Sequence, residues 1–225
     1  MTSFKKAIRD GCLVILCWLL IGDSATGSGK LGIYAIRMVP YGLDAETYTR
    51  PSWGGGIHAV FPLPIASETF AATGGLEFVN FLNKRIDLRD RITGLRVEQT
   101  TSQNYVRLFA GAQLGGHGNG FLRPHAGVNL ALIFHDFSID NVVPNDADPD
   151  NPISQNLEHI LHVVFGYDLT IGLDLNFSNT VALDGGVKYV KSFFVPQQLG
   201  SASVKIYPQY FQIYFGVGVS FDVFK

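Results

Sequence analysis

Several sets of side chains in this sequence have the types and spacing for chemistry. Asp146, Asp148 and Asp150 alternate in Asp146-Ala147-Asp148-Pro149-Asp150-Asn151, a spacing suited to chelating Ca²⁺. A calcium loop of the EF-hand type needs Gly at its sixth place and Glu at its twelfth, and here those places hold Asn151 and Leu157. The segment therefore reads as a solvated loop tip rich in Pro and Asp. His135, Asp136, His159 and His162 offer donors for a metal, but His159 and His162 fall on opposite faces if their segment is a strand. His135 and Ser138, with Glu158 further along, supply a base, a hydroxyl and a carboxylate, without a GxSxG elbow to present them. There is no Gly-rich phosphate loop and no basic patch for nucleic acid.

The remaining set is ionic: Arg107, Arg123 and Lys188 with Glu77, Asp168, Asp174, Asp184 and Asp222, and Arg37 beside them. What these do depends on the elements that carry them, and the elements announce themselves by a period of two. From Val163 the odd positions read Val163, Phe165, Tyr167, Leu169, Ile171, Leu173, Leu175 and Phe177, while Asp168, Thr170, Gly172, Asp174 and Asn176 lie between. The end of the chain repeats the pattern with Phe211, Ile213, Phe215, Val217, Val219, Phe221 and Val223. Alternation this long specifies strands with two chemically different faces, well beyond the five or six residues usual in globular sheets.

Residues 122–134, 106–114 and 181–189 alternate in the same way. Residues 31–41, 53–63 and 70–81 do so with interruptions by Pro or Gly, which brings the total to eight. The links after the second, fourth and sixth strands are short (64–69, 116–120, 178–180), and the others run long (42–52, 82–104, 136–161, 196–206). Short turns on one rim, long loops on the other and an even strand count match a transmembrane β-barrel. A closed barrel is the one sheet that leaves no unpaired edge in lipid.

Composition agrees. The chain has 225 residues, 47% hydrophobic and 16% charged, with a formal net charge of −2. It is too sparsely charged for a disordered or broadly solvated chain, and too neutral for a phosphate-binding face. Lys5, Lys6 and Arg9 precede an apolar stretch from Gly11 to Gly22 and then small residues, which is the pattern of a secretory signal peptide. We expect residues 1–25 to be cleaved, within about two residues, and 28–225 to form the barrel domain. Both cysteines, Cys12 and Cys17, fall in the cleaved part, so the exported chain would carry no disulfide, thiolate metal site or cysteine nucleophile.

Residues 31–225 resemble the small eight-stranded outer-membrane β-barrels of the OmpA/OmpX-like superfamily. The run Gly216-Val217-Gly218-Val219-Ser220-Phe221-Asp222-Val223-Phe224 carries the resemblance, being similar to that family's C-terminal assembly signal. Phe215, Val217, Val219, Phe221 and Phe224 are the positions concerned; Phe224 departs in phase and is followed by Lys225. The resemblance implies an all-β, closed, antiparallel up-and-down barrel in a bacterial outer membrane, monomeric and without a cofactor. Its partners would be outer-membrane lipid and lipopolysaccharide, the barrel-assembly machinery during biogenesis, and an extracellular ligand that the residues do not name. The rival fold is a soluble exported barrel of the lipocalin kind, whose apolar face would point inward.

On the barrel reading the polar face lines a lumen that eight strands leave too narrow for a water channel, so the charges form an internal salt-bridge network. A three-residue turn at 178–180 puts Asp174 opposite Asp184, and two carboxylates so placed need a cation, for which Arg123 is the candidate. Phe211 and Phe221, ten residues apart, match two aromatic girdles. The expected role is structural or surface-interacting, without catalysis, with the long loops as the working surface. The alternatives are a narrow porin-like passage and a lipid-modifying enzyme. Lipid A deacylases use a lipid-facing His-x-Ser step, whereas His135-Asp136-Phe137-Ser138 has a longer spacing and puts His135 in the lumen phase.

Overall fold

The computed structural model describes residues 28–63, 69–89, 96–115, 121–143, 153–178, 180–199 and 202–222. Residues 1–25, where a signal peptide is expected, and Phe224 lie outside them. The elements are strand β1 (Ser28–Tyr41), helix α1 (Leu43–Tyr48), and strands β2 (Ser52–Pro62), β3 (Phe70–Arg89), β4 (Arg96–Gly115), β5 (Leu122–Val143), β6 (Ile153–Asn176) and β7 (Val181–Ser192). A small hairpin, β8 (Val195–Leu199) with β9 (Ala202–Ile206), precedes the last strand, β10 (Gln209–Asp222). Among the described residues no helix is long and apolar enough to cross a membrane.

Eight strands close into one antiparallel barrel in the order β1-β10-β7-β6-β5-β4-β3-β2. The seam joins β1 to β10, with Leu31, Ile33 and Ala35 opposite Val219, Val217 and Phe215. Closure satisfies the backbone of every barrel strand on both sides, which lipid demands. The alternation then sorts side chains by face. Ile33, Leu130, Ile171 and Phe215 are 66%, 69%, 73% and 60% exposed, while Glu77, Arg107 and Asp168 are at 0%. The apolar face is therefore outside and the polar face inside, the reverse of a lipocalin. Rings mark the two rims of the apolar band. Phe211 contacts Tyr41 and Tyr189 at one rim (5.1 and 5.5 Å); Phe61–Phe221 and Phe121–Phe177 sit at the other (6.4 and 6.0 Å). Ten residues at ~3.3 Å rise, tilted by about 40°, span about 25 Å, the height of an apolar belt.

All four segments read as long loops contain regular structure, 196–206 the β8–β9 hairpin. Residues 82–104 and 136–161 are mostly strand: β3 and β4 stay paired as far as Arg89 and Arg96, and β5 and β6 as far as Val143 and Ile153. β4 and β5 also remain paired to Glu98 and Val142, so β3–β6 continue beyond the rim as one four-stranded sheet. Once both faces meet water, side chains need not alternate, so the sequence signal fades while the ladder bonding persists. Bulges at Asn80/Leu82 and Ile139/Asp140 shift the register along this extension. The remaining segment, 42–52, contains α1, whose Ala45 is buried in the apolar cluster at the top of the lumen.

Candidate functional site

The lumen is packed in three layers along the barrel axis. Nearest the long-loop rim is an apolar plug of Ile36, Met38, Val79, Phe81, Tyr105, Ile133, Val190 and Tyr210, joined by Ala45 of α1. Phe81 stacks on Tyr210 at 5.3 Å, and Tyr105 meets Tyr210 edge-on at 5.9 Å. The rings come from β3, β4 and β10, so the plug ties strands that are distant in sequence.

The middle layer is built on Glu77. Its Oε1 accepts from the Tyr34 hydroxyl and from Lys188 Nζ (both 2.7 Å), and its Oε2 from Arg107 Nε (2.8 Å) and Gln212 Nε2 (3.2 Å). An ionised carboxylate has about four acceptor sites, and all are used. Arg107 also donates through Nη1 to Asp168 Oδ2 at 2.5 Å. Asp168 Oδ1 accepts from Asn129 Nδ2 (2.8 Å) and Thr170 Oγ1 (2.9 Å), and Thr73 donates to Asn129 (2.5 Å). Aromatic faces complete the cation sites: Arg107 lies 4.7 Å from the Phe109 ring, and Lys188 4.7 Å from Tyr34 and 4.9 Å from Tyr214. The two acids and two bases cancel, which is the condition for burying four charges. The side chains of the layer issue from β1, β3, β4, β5, β6, β7 and β10, so it staples seven of the eight strands.

The third layer lies toward the short-turn rim. Asp174 and Asp184 are direct cross-strand neighbours. The cation between them is Lys30, whose Nζ stands 2.6 Å from Asp174 and 3.2 Å from Asp184. Arg123, expected in that role, is half-buried in the lumen phase of β5 and is Asp174's cross-strand neighbour on its other side. Lys30 lies one residue before the apolar alternation of its strand begins, in the polar phase, and that phase is the signal that finds it. His58 and His125 approach Asp184 at 3.3 and 3.8 Å. Asp222 ends β10 opposite Ser28; its side chain lies outside the described residues.

Arg37 is also relocated. It shares the outward phase of Leu31 and Ile33, and its guanidinium sits 5.2 Å over the Trp53 ring near the long-loop rim. Ile36 and Met38 are apolar too, which blurs the phase of β1 in the sequence. Phe215, Val217, Val219 and Phe221 form the lipid-facing side of the closing seam.

The candidates for chemistry near the outer rim separate. His135 pairs with His162 in register and packs edge-on against Tyr105 at 5.4 Å. Asp136 and His159 pair at 2.8 Å on the opposite face of the ribbon, so the four residues do not converge. Ser138 Oγ lies 2.8 Å from Ser102 Oγ and falls in the opposite phase from His135, so no nucleophile–base pair forms there. The acidic run 146–151 lies outside the described residues. Within the lumen the described residues leave a cavity of about 30 Å³ beside His58, His125 and Asp184.

No protein-family model matches the chain, and no curated protein matches it. Solved structures do. Neisserial surface protein A shares its fold with a TM-score of 0.53 at 12% identity, over 87% of this chain and 99% of that one. A major outer membrane protein from Thermus thermophilus does so with a TM-score of 0.50 at 12% identity, over 87% and 100%. Eight closed strands with an apolar outer face between two girdles of rings, together with these neighbours, give the chain the fold of the small eight-stranded β-barrels found among outer-membrane proteins.

Proposed function

We propose that this protein is a non-conducting, non-catalytic surface protein of the outer membrane, which presents the β3–β6 sheet to the exterior. One observation carries the reading: four strands continue as a paired sheet beyond the lipid band, where membrane insertion does not require them. The extension carries polar pairs, Arg85 with Glu98, Asn156 with Asp140 (2.7 Å) and His159 with Asp136 (2.8 Å). Such a surface suits contact with a hydrated partner. The lumen beneath it is filled by three layers of buried side chains, which speaks against the porin-like alternative. The separation of His135 from Ser138 speaks against a lipid-modifying one. Export as a precursor with a signal in residues 1–25, insertion by the barrel-assembly machinery and a lipid and lipopolysaccharide surround belong to the same reading.

The test shortens both ribbons, cutting the chain back to the Lys84–Thr101 and Ser138–His159 pairs and closing each with a two-residue turn. The variant should keep heat-modifiable gel migration, because the barrel ladder is untouched. Cells displaying it should lose attachment to surfaces coated with serum and matrix proteins that cells displaying the full chain retain. Equal attachment by both, or unitary currents from the full chain in planar bilayers, would refute the reading.

A further inference from the structure

We propose that the short-rim end of the lumen is a binding site for a divalent transition metal, with His125, Asp174 and Asp184 as ligands and His58 completing the set. These four side chains come from four strands, β2, β5, β7 and β6, and meet inside a closed barrel. Asp184 Oδ2 stands 3.3 Å from His58 Nε2, and Asp184 Oδ1 stands 3.8 Å from His125 Nε2. One donor atom each from His125, Asp174 and Asp184 lie within 4.8 Å of one another. Donors around a tetrahedral zinc with bonds of about 2.0–2.1 Å stand about 3.3 Å apart, so rotation of side chains closes the set.

A second observation points to a ligand. Among the described residues, His58 Nε2 and Asp184 Oδ1 have no hydrogen-bond partner, while His125 Nε2 faces Asp184. The side chain of Asp184 is only 5% exposed, so an orphaned polar atom there is costly. All three residues line the 30 Å³ lumen cavity, which has room for one ion or about one water. Glycines keep that space open. A Cβ at Gly172 would stand 2.4 Å from both His125 Nε2 and the Tyr214 hydroxyl, and one at Gly32 would stand 2.9 Å from His58 Nε2.

Charge fits the exchange. The Lys30 ammonium stands between Asp174 and Asp184, and Arg123 is Asp174's cross-strand neighbour. A divalent ion can take the place of that ammonium, because Lys30, on a flexible stem with a partly exposed head, can swing toward the rim. The Tyr214 hydroxyl, 3.0 Å from His125 Nε2, then gives up that contact. Two imidazoles with carboxylate select zinc, cobalt, nickel or copper over calcium or magnesium.

The test uses untagged full barrel refolded in detergent and titrated with Zn²⁺ by calorimetry and with Co²⁺ by visible absorption. One zinc per chain and the intense visible bands of tetrahedral cobalt are expected. His58→Ala and His125→Ala should each weaken binding about 100-fold, while His159→Ala on the outer ribbon should leave it unchanged. Lys30→Gln removes the competing cation and should tighten binding about tenfold or more, a gain that a misfolded variant cannot mimic. Heat-modifiable migration confirms that each variant is folded. Cobalt that stays octahedral with wild type, loss of binding only in His159→Ala, or no gain in Lys30→Gln would overturn the proposal.

Discussion

Arg107→Leu tests whether the middle layer holds the barrel by charge balance. In the native lumen Glu77 and Asp168 are balanced by Arg107 and Lys188, all 0–5% exposed. Removing the guanidinium leaves Glu77 with Lys188, Tyr34 and Gln212. Asp168 keeps only the neutral donors Asn129 and Thr170, and becomes the uncompensated charge. Each guanidinium–carboxylate contact, with charge centres about 4 Å apart, is worth about 4 kcal/mol at an effective dielectric near 20. Arg107 itself had to be desolvated at a cost of several kcal/mol, so the net loss should be about 3–5 kcal/mol. Adding Asp168→Asn restores neutrality, and the double variant should recover about 2–3 kcal/mol of that loss. Urea unfolding in lipid vesicles, followed by intrinsic fluorescence, measures all four corners of this cycle. A cost below ~1 kcal/mol for Arg107→Leu, or singles that add to within ~0.5 kcal/mol, would refute charge balance as the reason for the arrangement.

The orientation of the apolar face can be read with one residue type at two depths. Ile171→Arg, in the middle of the lipid band, should cost about 2–4 kcal/mol, whereas Ile153→Arg, equally outward on the extramembrane end of β6, should cost under ~0.5 kcal/mol; comparable costs would mean the band is misplaced. Tyr210→Ala removes the ring stacked on Phe81 and should destabilise by about 3–5 kcal/mol without opening a current, because the charge layer below still fills the lumen; unitary steps in planar bilayers would contradict this. Gly172→Ala, with its Cβ driven to 2.4 Å from His125 and Tyr214, should cost about 1–3 kcal/mol and lower the temperature at which the compact gel band is lost; an unchanged transition would mean those side chains are free to move aside.

How far the sequence reaches is clearest at the lower charge cluster. The length of the 178–180 turn sufficed to place Asp174 opposite Asp184, because register in a tight hairpin is set locally. The cation that joins them was not legible in that way. Lys30 is 144 positions from Asp174, and the two meet only because closure brings β1 across the lumen from β6. Arg123, with the same charge and the right phase, is Asp174's cross-strand neighbour, and Lys30 adds a cation that hairpin register alone does not reveal.

By itself the sequence determined the strand count, the hairpin order and which residues share a face, since a period of two is a property of neighbouring residues and survives without any knowledge of the whole. It could not follow β3–β6 beyond the lipid, where water on both faces removes the need to alternate. Nor could it say which phase Arg37 takes, or which side chains meet across the axis. Those were decided by closure: the ring of eight strands sets the lumen's width, and that width brings Glu77, Arg107, Asp168 and Lys188 within bonding reach of one another.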